Sequence, residues 1–310
     1  SSHGCAMSEP GRIEVWAPIA ETVEIVLDPL GENSIREPMV PTTDGWWRWE
    51  GERTAYGAED GAHNLDYAFI VDGAEPALPD PRSAWQPHGV HGPSRLIDPK
   101  TFEWTDNDWR GTREGAGILG GVIYELHVGT FTPEGTLDAA IDRLNHLVAL
   151  GVDLVELMPI APFPGDWGWG YDGVGLHAVH DRYGGPLALQ RFVDACHARG
   201  LGVCLDVVHN HLGPSGNYLS RFGPYFTDRH HTPWGEAVNL DAPEHEHVRA
   251  FVIDSALRWL RDFHLDALRL DAVHELKDDS EKHFLAELSD AVAALADEVG
   301  RPLDLIAESD

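Results

Sequence analysis

The first hundred residues alternate apolar and polar positions over short runs that are separated by Gly, Pro and Asp. The runs are RIEVWAP (12–18), TVEIVL (22–27), WWRWEG (46–51) and LDYAFIVDG (65–73). A period of two is typical of half-buried strands, and the regular spacing of the runs predicts a small immunoglobulin-like β-sandwich over residues 9–100. Its last part, residues 74–100, is rich in Pro, Gly and His and is expected to be a long ordered loop. Residues 1–8 are read as a disordered tag outside the fold.

From residue 121 onwards, nearly continuous apolar runs alternate with segments of helical periodicity. The apolar runs are GVIYELHVG (121–129), VDLVELMPI (152–160), LGVCLDVVHNH (201–211), LDALRLD (265–271) and PLDLIAESD (302–310). The helical segments are residues 137–151, 186–200, 245–264 and 280–300. Such alternation predicts βαβ units with a parallel sheet, and the first strand is expected to be buried on both faces.

Two closures of this sheet are possible, an open doubly wound sheet or a barrel. No Gly-rich phosphate loop follows the first strand, which removes the best support for a nucleotide-binding open sheet. Five strands cannot close an eight-stranded barrel. The fold class is therefore predicted to be multidomain α/β, with residues 101–310 forming the first part, about five strands, of a catalytic (β/α)8 TIM barrel.

Charge and cysteine content narrow the classes of partner. The 310 residues include 22 Lys and Arg and 52 Asp and Glu, a formal charge of -30, which argues against nucleic acid and anionic membranes. Three cysteines without dense spacing and the lack of a signal-peptide pattern suggest a reducing, cytoplasmic compartment. No apolar run reaches the roughly 18 residues that span a bilayer. Neither H-E-x-x-H nor G-x-S-x-G occurs, so no metal, no cofactor and no serine nucleophile are expected.

Polar residues cluster where the predicted parallel strands end, which is where loops converge on a site in α/β folds. Arg269 and Asp271 lie two apart on one strand and so share a face, and the cation is expected to keep Asp271 ionised. Glu308 follows apolar positions, which favour the protonated acid. One ionised and one protonated carboxyl beside a bond are the equipment of glycoside cleavage.

Neutral hydrogen-bonding groups and aromatic rings extend the sugar hypothesis. Asp206, Asn210 and His211 end the third strand, and the latter two are expected to bind sugar hydroxyls. The segment PFPGDWGWGYDGVG (162–175) carries Trp167, Trp169 and Tyr171 among glycines, and the faces of these three rings suit the apolar faces of pyranoses. Tyr171 is the preferred platform. For the two tryptophans the alternative is that the rings pack a lid from within.

Three motifs in this order resemble those of a known enzyme family. DVVHNH (206–211), LRLDAVHE (268–275) and LIAESD (305–310) are similar to the first three signature regions of the α-amylase superfamily, glycoside hydrolase family 13. The resemblance implies a retaining glycoside hydrolase with no cofactor, acting on an α-glucan. The passages YELHVGTFTPEGT (124–136) and GWGYDGVG (168–175) further imply cleavage of an α-1,4 bond beside the terminal trehalose of maltooligosyltrehalose.

The resemblance also implies residue roles. Asp271 matches the nucleophile, Glu308 the general acid/base, and Arg269 the residue that orients the nucleophile. The substrate-binding positions it implies are Tyr171, Asp172, Asp206, Asn210, His211, Arg269, His274 and Glu275. His274 and Glu275 stand where many amylases carry Lys-His, so different contacts to the leaving group are expected.

One expected element of the family is missing. The third catalytic Asp belongs to a fourth motif that does not occur after Glu308, so the chain is expected to be a fragment of a protein about twice as long and to be inactive alone. A glycogen branching or debranching enzyme of the same superfamily remains an alternative. So does a carbohydrate-binding protein without turnover.

Overall fold

The structure is a computed structural model that describes residues 12–51 and 65–310. The predicted tag, residues 1–8, lies outside these residues. Within them the chain forms two antiparallel sheets at the N-terminal end and one parallel sheet surrounded by helices in the remainder.

The two N-terminal sheets together form the predicted β-sandwich. Their strands are β1 (Glu14–Trp16), β2 (Val23–Leu27), β3 (Ile35–Pro38), β4 (Val40–Pro41), β5 (Trp46–Arg48), β6 (Asp66–Val71) and β7 (Ser94–Arg95). One sheet has the order β1-β5-β4 and the other the order β3-β2-β6-β7. Apolar side chains of both sheets, among them Val15, Ile25 and Phe69, are buried in the core. The prediction of a sandwich is therefore confirmed for the described strands.

The segment over residues 74–100, predicted as a loop, is ordered, includes the short strand β7 and packs against the second half of the chain. Leu78, Gln86 and Val90 are buried within it. Arg82 donates a hydrogen bond from Nη1 to Asp254 Oδ2 at 2.8 Å, which ties the loop to a helix of the parallel region. The loop thus joins the two regions, and a domain boundary at residue 100 stays a prediction.

The parallel sheet has five strands in the order in which they occur along the chain. They are β8 (Ile123–Leu126), β9 (Leu154–Leu157), β10 (Gly202–Val207), β13 (Ala267–Leu270) and β14 (Asp304–Ala307). The order β14-β13-β10-β9-β8 contains no reversal. A doubly wound sheet reverses its order at a switch point, so this sheet has the topology of the first part of a TIM barrel.

The helices of the described residues are α1 (Thr112–Gly115), α2 (Val128–Phe131), α3 (Leu137–Ile141), α4 (Leu144–Ala149), α5 (Gly185–His197), α6 (Leu219–Phe222), α7 (His245–Asp262) and α8 (Phe284–Val299), with 3-10 turns at Thr43–Gly45, Pro99–Thr101, Asp181–Tyr183 and Val273–Glu275. Three of the four predicted helical segments contain one long helix each, namely α5, α7 and α8, whereas the short helices α1, α2 and α6 were not predicted. The single helix predicted over 137–151 is wrong. Asp142 and Arg143 separate α3 from α4.

Burial of the first parallel strand also differs from the prediction. Ile123, Tyr124 and Glu125 of β8 are exposed and only Leu126 is buried, whereas all four residues of β9 are buried. The reason is position, because β8 is the edge strand of the five-stranded sheet and pairs only with β9 among the described strands. An apolar run reports what a strand prefers to contact and does not show which neighbours it has.

A hairpin that the sequence analysis did not predict follows β10. Its strands, β11 (Phe226–Thr232) and β12 (Gly235–Val238), pair antiparallel with an irregular register between Thr227 and His231. The irregularity breaks the alternation of side chains on which strand prediction depends. None of the helices within residues 12–51 and 65–310 has the length and apolar content needed to cross a membrane.

Candidate active site

Register between neighbouring strands places the central cation of the site. Asp206 on β10 pairs directly with Arg269 on β13, so their side chains lie at the same level. Arg269 Nη1 donates to Asp206 Oδ2 at 2.7 Å and to Asp271 Oδ1 at 3.1 Å, and its Nη2 lies 3.6 Å from Glu308 Oε2. One guanidinium therefore contacts carboxylates from three successive strand ends. Burial opposes its charge, but Asp206 and Asp271 outweigh burial and raise the pKa of Arg269.

Asp271 is held through both carboxylate oxygens. Oδ1 accepts from Arg269, and Oδ2 accepts from Asn210 Nδ2 at 3.2 Å. Asn210 Nδ2 also donates to the main-chain carbonyl of Asp271 at 2.8 Å. These contacts fix the direction of the carboxylate, which a nucleophile needs for in-line attack.

Glu308 is positioned by a strained turn directly after Asp271. Ala272 has φ 42° and ψ 56°, a left-handed conformation that costs a non-glycine residue about 1–3 kcal/mol and is found at functional sites. This turn directs the Ala272 N–H at Glu308 Oε2, at 2.7 Å. The expectation of an apolar environment for Glu308 is wrong, since an N–H group and a guanidinium face the carboxyl. The apolar residues that precede Glu308 on β14 could not show that Arg269 and the Ala272 N–H, from β13 and the turn after it, lie beside its carboxyl.

Tyr171 and Asp206 form the floor of the site. The Tyr171 hydroxyl donates to Asp206 Oδ2 at 2.7 Å. Burial, followed by this hydrogen bond to a carboxylate, raises the pKa of Tyr171 above its usual value. Burial likewise raises the pKa of Asp206 to about 6, although Tyr171 and Arg269 both favour its charged form.

His211 is engaged by the protein through both ring nitrogens. Its Nδ1 lies 2.6 Å from Asn210 Oδ1, and its Nε2 lies 2.8 Å from the Tyr171 carbonyl. Within the chain, Asn210 contacts Asp271 and His211 contacts the Tyr171 carbonyl, and the binding of sugar hydroxyls by either residue stays a prediction. Trp234, between β11 and β12, stacks on His211 with ring centroids 4.1 Å apart. Sequence reasoning missed Trp234, because only the hairpin brings it to the site.

A second layer of carboxylates lies below Asp206. Oxygens of Glu125, Glu156 and Asp206 lie within 4.8 Å of one another. Burial and the charges of Glu125 and Asp206 raise the pKa of Glu156 to about 7. This group and a second one, formed by His230, Asp241 and Asp279, have the spacing of metal ligands. Arg269 and Arg229 already supply positive charge beside the first and second groups respectively.

The remaining predicted residues lie at the edge of the site. Asp172 is exposed and acts electrostatically on the neighbouring His211. His274 Nε2 lies 3.6 Å from Asp310 Oδ2, just beyond the end of β14. Glu275 faces Lys277, with Oε2 3.4 Å from Nζ. His274 thus borders the site, whereas the ion pair of Glu275 is directed at Lys277 instead of the central guanidinium.

The strand topology and the carboxylate geometry are those expected for an enzyme of the α-amylase type, and comparison with family models agrees. Residues 96–231 match the catalytic domain of alpha amylase, and residues 3–89 match carbohydrate-binding module 48, the isoamylase N-terminal domain. The chain belongs to the α-amylase family.

Curated relatives narrow the family further. Malto-oligosyltrehalose trehalohydrolase from Arthrobacter ramosus is 54% identical over 96% of this chain and 50% of its own length. The Mycobacterium tuberculosis protein of the same name is 50% identical over 96% of this chain and 49% of its own length. A solved structure from Salmonella typhimurium, described as an alpha amylase, is 39% identical with a TM-score of 0.83, covering 96% of this chain and 47% of that chain. The chain thus spans about half the length of the curated relatives it matches.

Proposed function

We propose that this chain carries the nucleophile and the general acid/base of a retaining glycoside hydrolase that releases trehalose from maltooligosyltrehalose. The observation that carries the proposal is the single guanidinium of Arg269, which contacts both Asp271 and Glu308. Similarity to trehalohydrolases at 54% identity supports the particular substrate. These relatives are twice as long as this chain, so the activity is proposed for the full-length protein.

In the proposed reaction, Glu308 donates a proton to the glycosidic oxygen while Asp271 attacks the anomeric carbon. The glycosidic bond breaks, and a covalent glycosyl-Asp271 ester forms with inversion. Glu308, now ionised, takes a proton from water while the water oxygen attacks the same carbon with a second inversion, which breaks the ester bond and releases the Asp271 carboxylate. Arg269 and Asn210 hold Asp271 in line, and the Ala272 N–H holds Glu308 beside it.

Retention makes a geometric demand on the two acids. Their carboxyl groups are expected about 5–5.5 Å apart, because a wider gap leaves room for the water of an inverting enzyme. Contacts of both carboxylates with one guanidinium support the short separation. The β-configured intermediate and α-configured product follow from two successive displacements.

The test is product analysis with two substrates. Full-length protein is incubated separately with maltooligosyltrehalose and with amylopectin, and the products are separated by chromatography. Free trehalose from the first substrate is the expected result. Transfer or cleavage at α-1,6 branches without trehalose release would instead identify a branching or debranching enzyme. Absence of turnover on either glucan, with sugar binding retained, would favour a binding protein.

We further propose that the α-glucan is encountered in a reducing, cytoplasmic compartment. Cys196 and Cys204 are buried free thiols, and burial raises the pKa of both. Protonated buried thiols are poor nucleophiles and behave as small apolar side chains. Thiol titration of protein isolated from the cell under alkylating conditions is expected to find both reduced; recovery of either residue as a disulfide would contradict this proposal.

A further inference from the structure

Two tryptophans on the loop after β9 are directed at solvent. Trp167 is 79% exposed and Trp169 is 69% exposed, which places them among the most exposed large apolar side chains of the described residues. All six residues from 164 to 169 are exposed. The alternative raised from the sequence, that these rings pack a lid from within, is therefore wrong.

The loop that carries them is nonetheless anchored. The carbonyl of Gly168, between the two tryptophans, accepts a hydrogen bond from His127 Nε2 at 2.7 Å, at the end of β8. Gly170 has φ +91°, and a Cβ there would lie 2.7 Å from the Pro159 carbonyl oxygen, so only glycine fits. Phe163 is buried at the other end of the loop. Both rings thus project from a fixed base.

The spacing of the aromatic residues links them to the site. Residues 167–171 read Trp-Gly-Trp-Gly-Tyr, so an aromatic ring occurs at every second position with no competing side chain between. The last ring, Tyr171, donates its hydroxyl to Asp206 within the carboxylate cluster. The series therefore runs from solvent to the place where the bond is proposed to break.

Two neighbouring exposed indoles are unusual on a protein surface and mark a binding surface. Their flat apolar faces suit the C–H faces of glucose rings, and their N–H groups suit hydroxyls. Asp166 beside them and the formal charge of -30 disfavour an anionic partner. A neutral polymer that already enters at Tyr171 fits best.

We propose that Trp167 and Trp169 form a platform that binds glucose units of an α-glucan beyond the unit held at the carboxylate site. The platform rests on the proposed function for its substrate class. It adds a specificity that the carboxylates do not supply, because a glucan too short to reach the indoles gains nothing from them. Affinity should therefore increase with the length of the glucan.

Calorimetric titration of the full-length protein with maltotriose and maltoheptaose tests the platform. Trp167→Ala and Trp169→Ala are each expected to weaken maltoheptaose binding about tenfold, as truncation of an aromatic anchor does, and to weaken maltotriose binding less. Trp167→Phe keeps a ring and is expected to retain most of the affinity. Leu119→Ala, at a residue 84% exposed ahead of β8, is the matched control and should bind as wild type.

Equal affinities and equal length dependence in the Trp167→Ala/Trp169→Ala double variant and wild type would overturn the platform. A change in oligomeric state on size-exclusion chromatography with no change in sugar affinity would also overturn it, in favour of a protein interface. Trehalose release separates this result from the proposed function. If wild type releases trehalose but the tryptophan variants show no length-dependent loss of affinity, the platform alone is refuted. If the variants show that loss but wild type releases no trehalose, the proposed reaction alone is refuted.

Discussion

Two ion clusters lie at opposite ends of the same parallel strands, and they differ in how their charges are balanced. At the C-terminal ends, one cation, Arg269, contacts carboxylates from three strands. At the N-terminal ends, His197 bridges Asp106 and Asp266 at 2.7 and 2.9 Å, and Arg301 adds a second cation to Asp266 at 2.9 Å. The first cluster has an excess of negative charge and the second is neutralised.

Exposure differs in the same direction. Side chains of His197 and Asp266 are 1% and 3% exposed, whereas those of Arg269 and Glu308 are 20% and 35% exposed. In the cluster at the N-terminal strand ends, Trp109 stacks on His197 with ring centroids 4.2 Å apart and donates its Nε1–H to Asp266. The cluster at the N-terminal strand ends therefore stabilises the fold. The cluster at the C-terminal strand ends stays accessible to solvent and keeps uncompensated negative charge for chemistry.

The largest effect on this comparison is expected from Asp271→Asn in the full-length protein. Loss of the nucleophile should lower kcat/KM by at least about 10⁴-fold, because the carboxylate that forms the ester is removed. The fold should be kept, since Asn preserves shape. Steady-state trehalose release measures the effect, with Asp138→Asn, which breaks the exposed pair with Arg191, as a control of unchanged activity. Comparable rates for the two variants would refute the assignment of Asp271.

Substitution in the cluster at the N-terminal strand ends should lower the stability of the fold. Asp266→Asn leaves Arg301 without its carboxylate and leaves His197 with Asp106 alone, and we expect a loss of about 3–5 kcal/mol in the free energy of unfolding. Urea titration followed by tryptophan fluorescence measures it. The surface control Asp138→Asn should lose no more than about 1 kcal/mol. If both variants unfold at the same urea concentration, the cluster at the N-terminal strand ends does not stabilise the fold.

The pH dependence of stability should report the charge on His197. Burial opposes its charge, but Asp106 and Asp266 outweigh burial and raise the pKa of His197. Its contribution is therefore complete below the unfolded pKa of about 6.5 and is lost as pH rises through the higher folded value. The pKa values of Asp106 and Asp266 are lowered, so their contributions are lost as pH falls below about 4.

Urea midpoints between pH 5 and pH 8.5 test this sign. Wild type should lose stability towards the alkaline end, and His197→Gln, which is less stable at pH 5, should change less over the same interval. Parallel curves for the two proteins would show that His197 does not carry the charge.

The smallest expected effect concerns the second carboxylate layer. The pKa of Glu156 is raised to about 7, so its protonated form stabilises the fold below pH 4.5 and this stability is lost as pH rises through 7. Glu156→Gln mimics the protonated acid and should unfold at a higher urea concentration than wild type at pH 8 but not at pH 4.5. A variant equal to wild type at both pH values would show that Glu156 is not the group that holds this proton.

Local periodicity was enough to predict the βαβ order and the shared face of Arg269 and Asp271, because both depend on residues that are close together in the sequence. It could not predict the exposure of β8, which depends on what lies beyond the sheet edge. Nor could it predict the engagement of His211 by the Tyr171 carbonyl, 40 residues away, or the bridge from His197 to Asp266, 69 residues away. Contacts of this kind arise only when separate elements pack.

The most direct test of the account is chemical trapping of the glycosyl-enzyme in the full-length protein. A fluorinated glycosyl fluoride slows the second displacement and accumulates the ester, which peptide mass spectrometry can locate. The account predicts one label, on the peptide that contains Asp271, and none in Asp271→Asn. A label on Glu308 or another carboxylate, or release of product with inverted anomeric configuration in proton NMR, would contradict it.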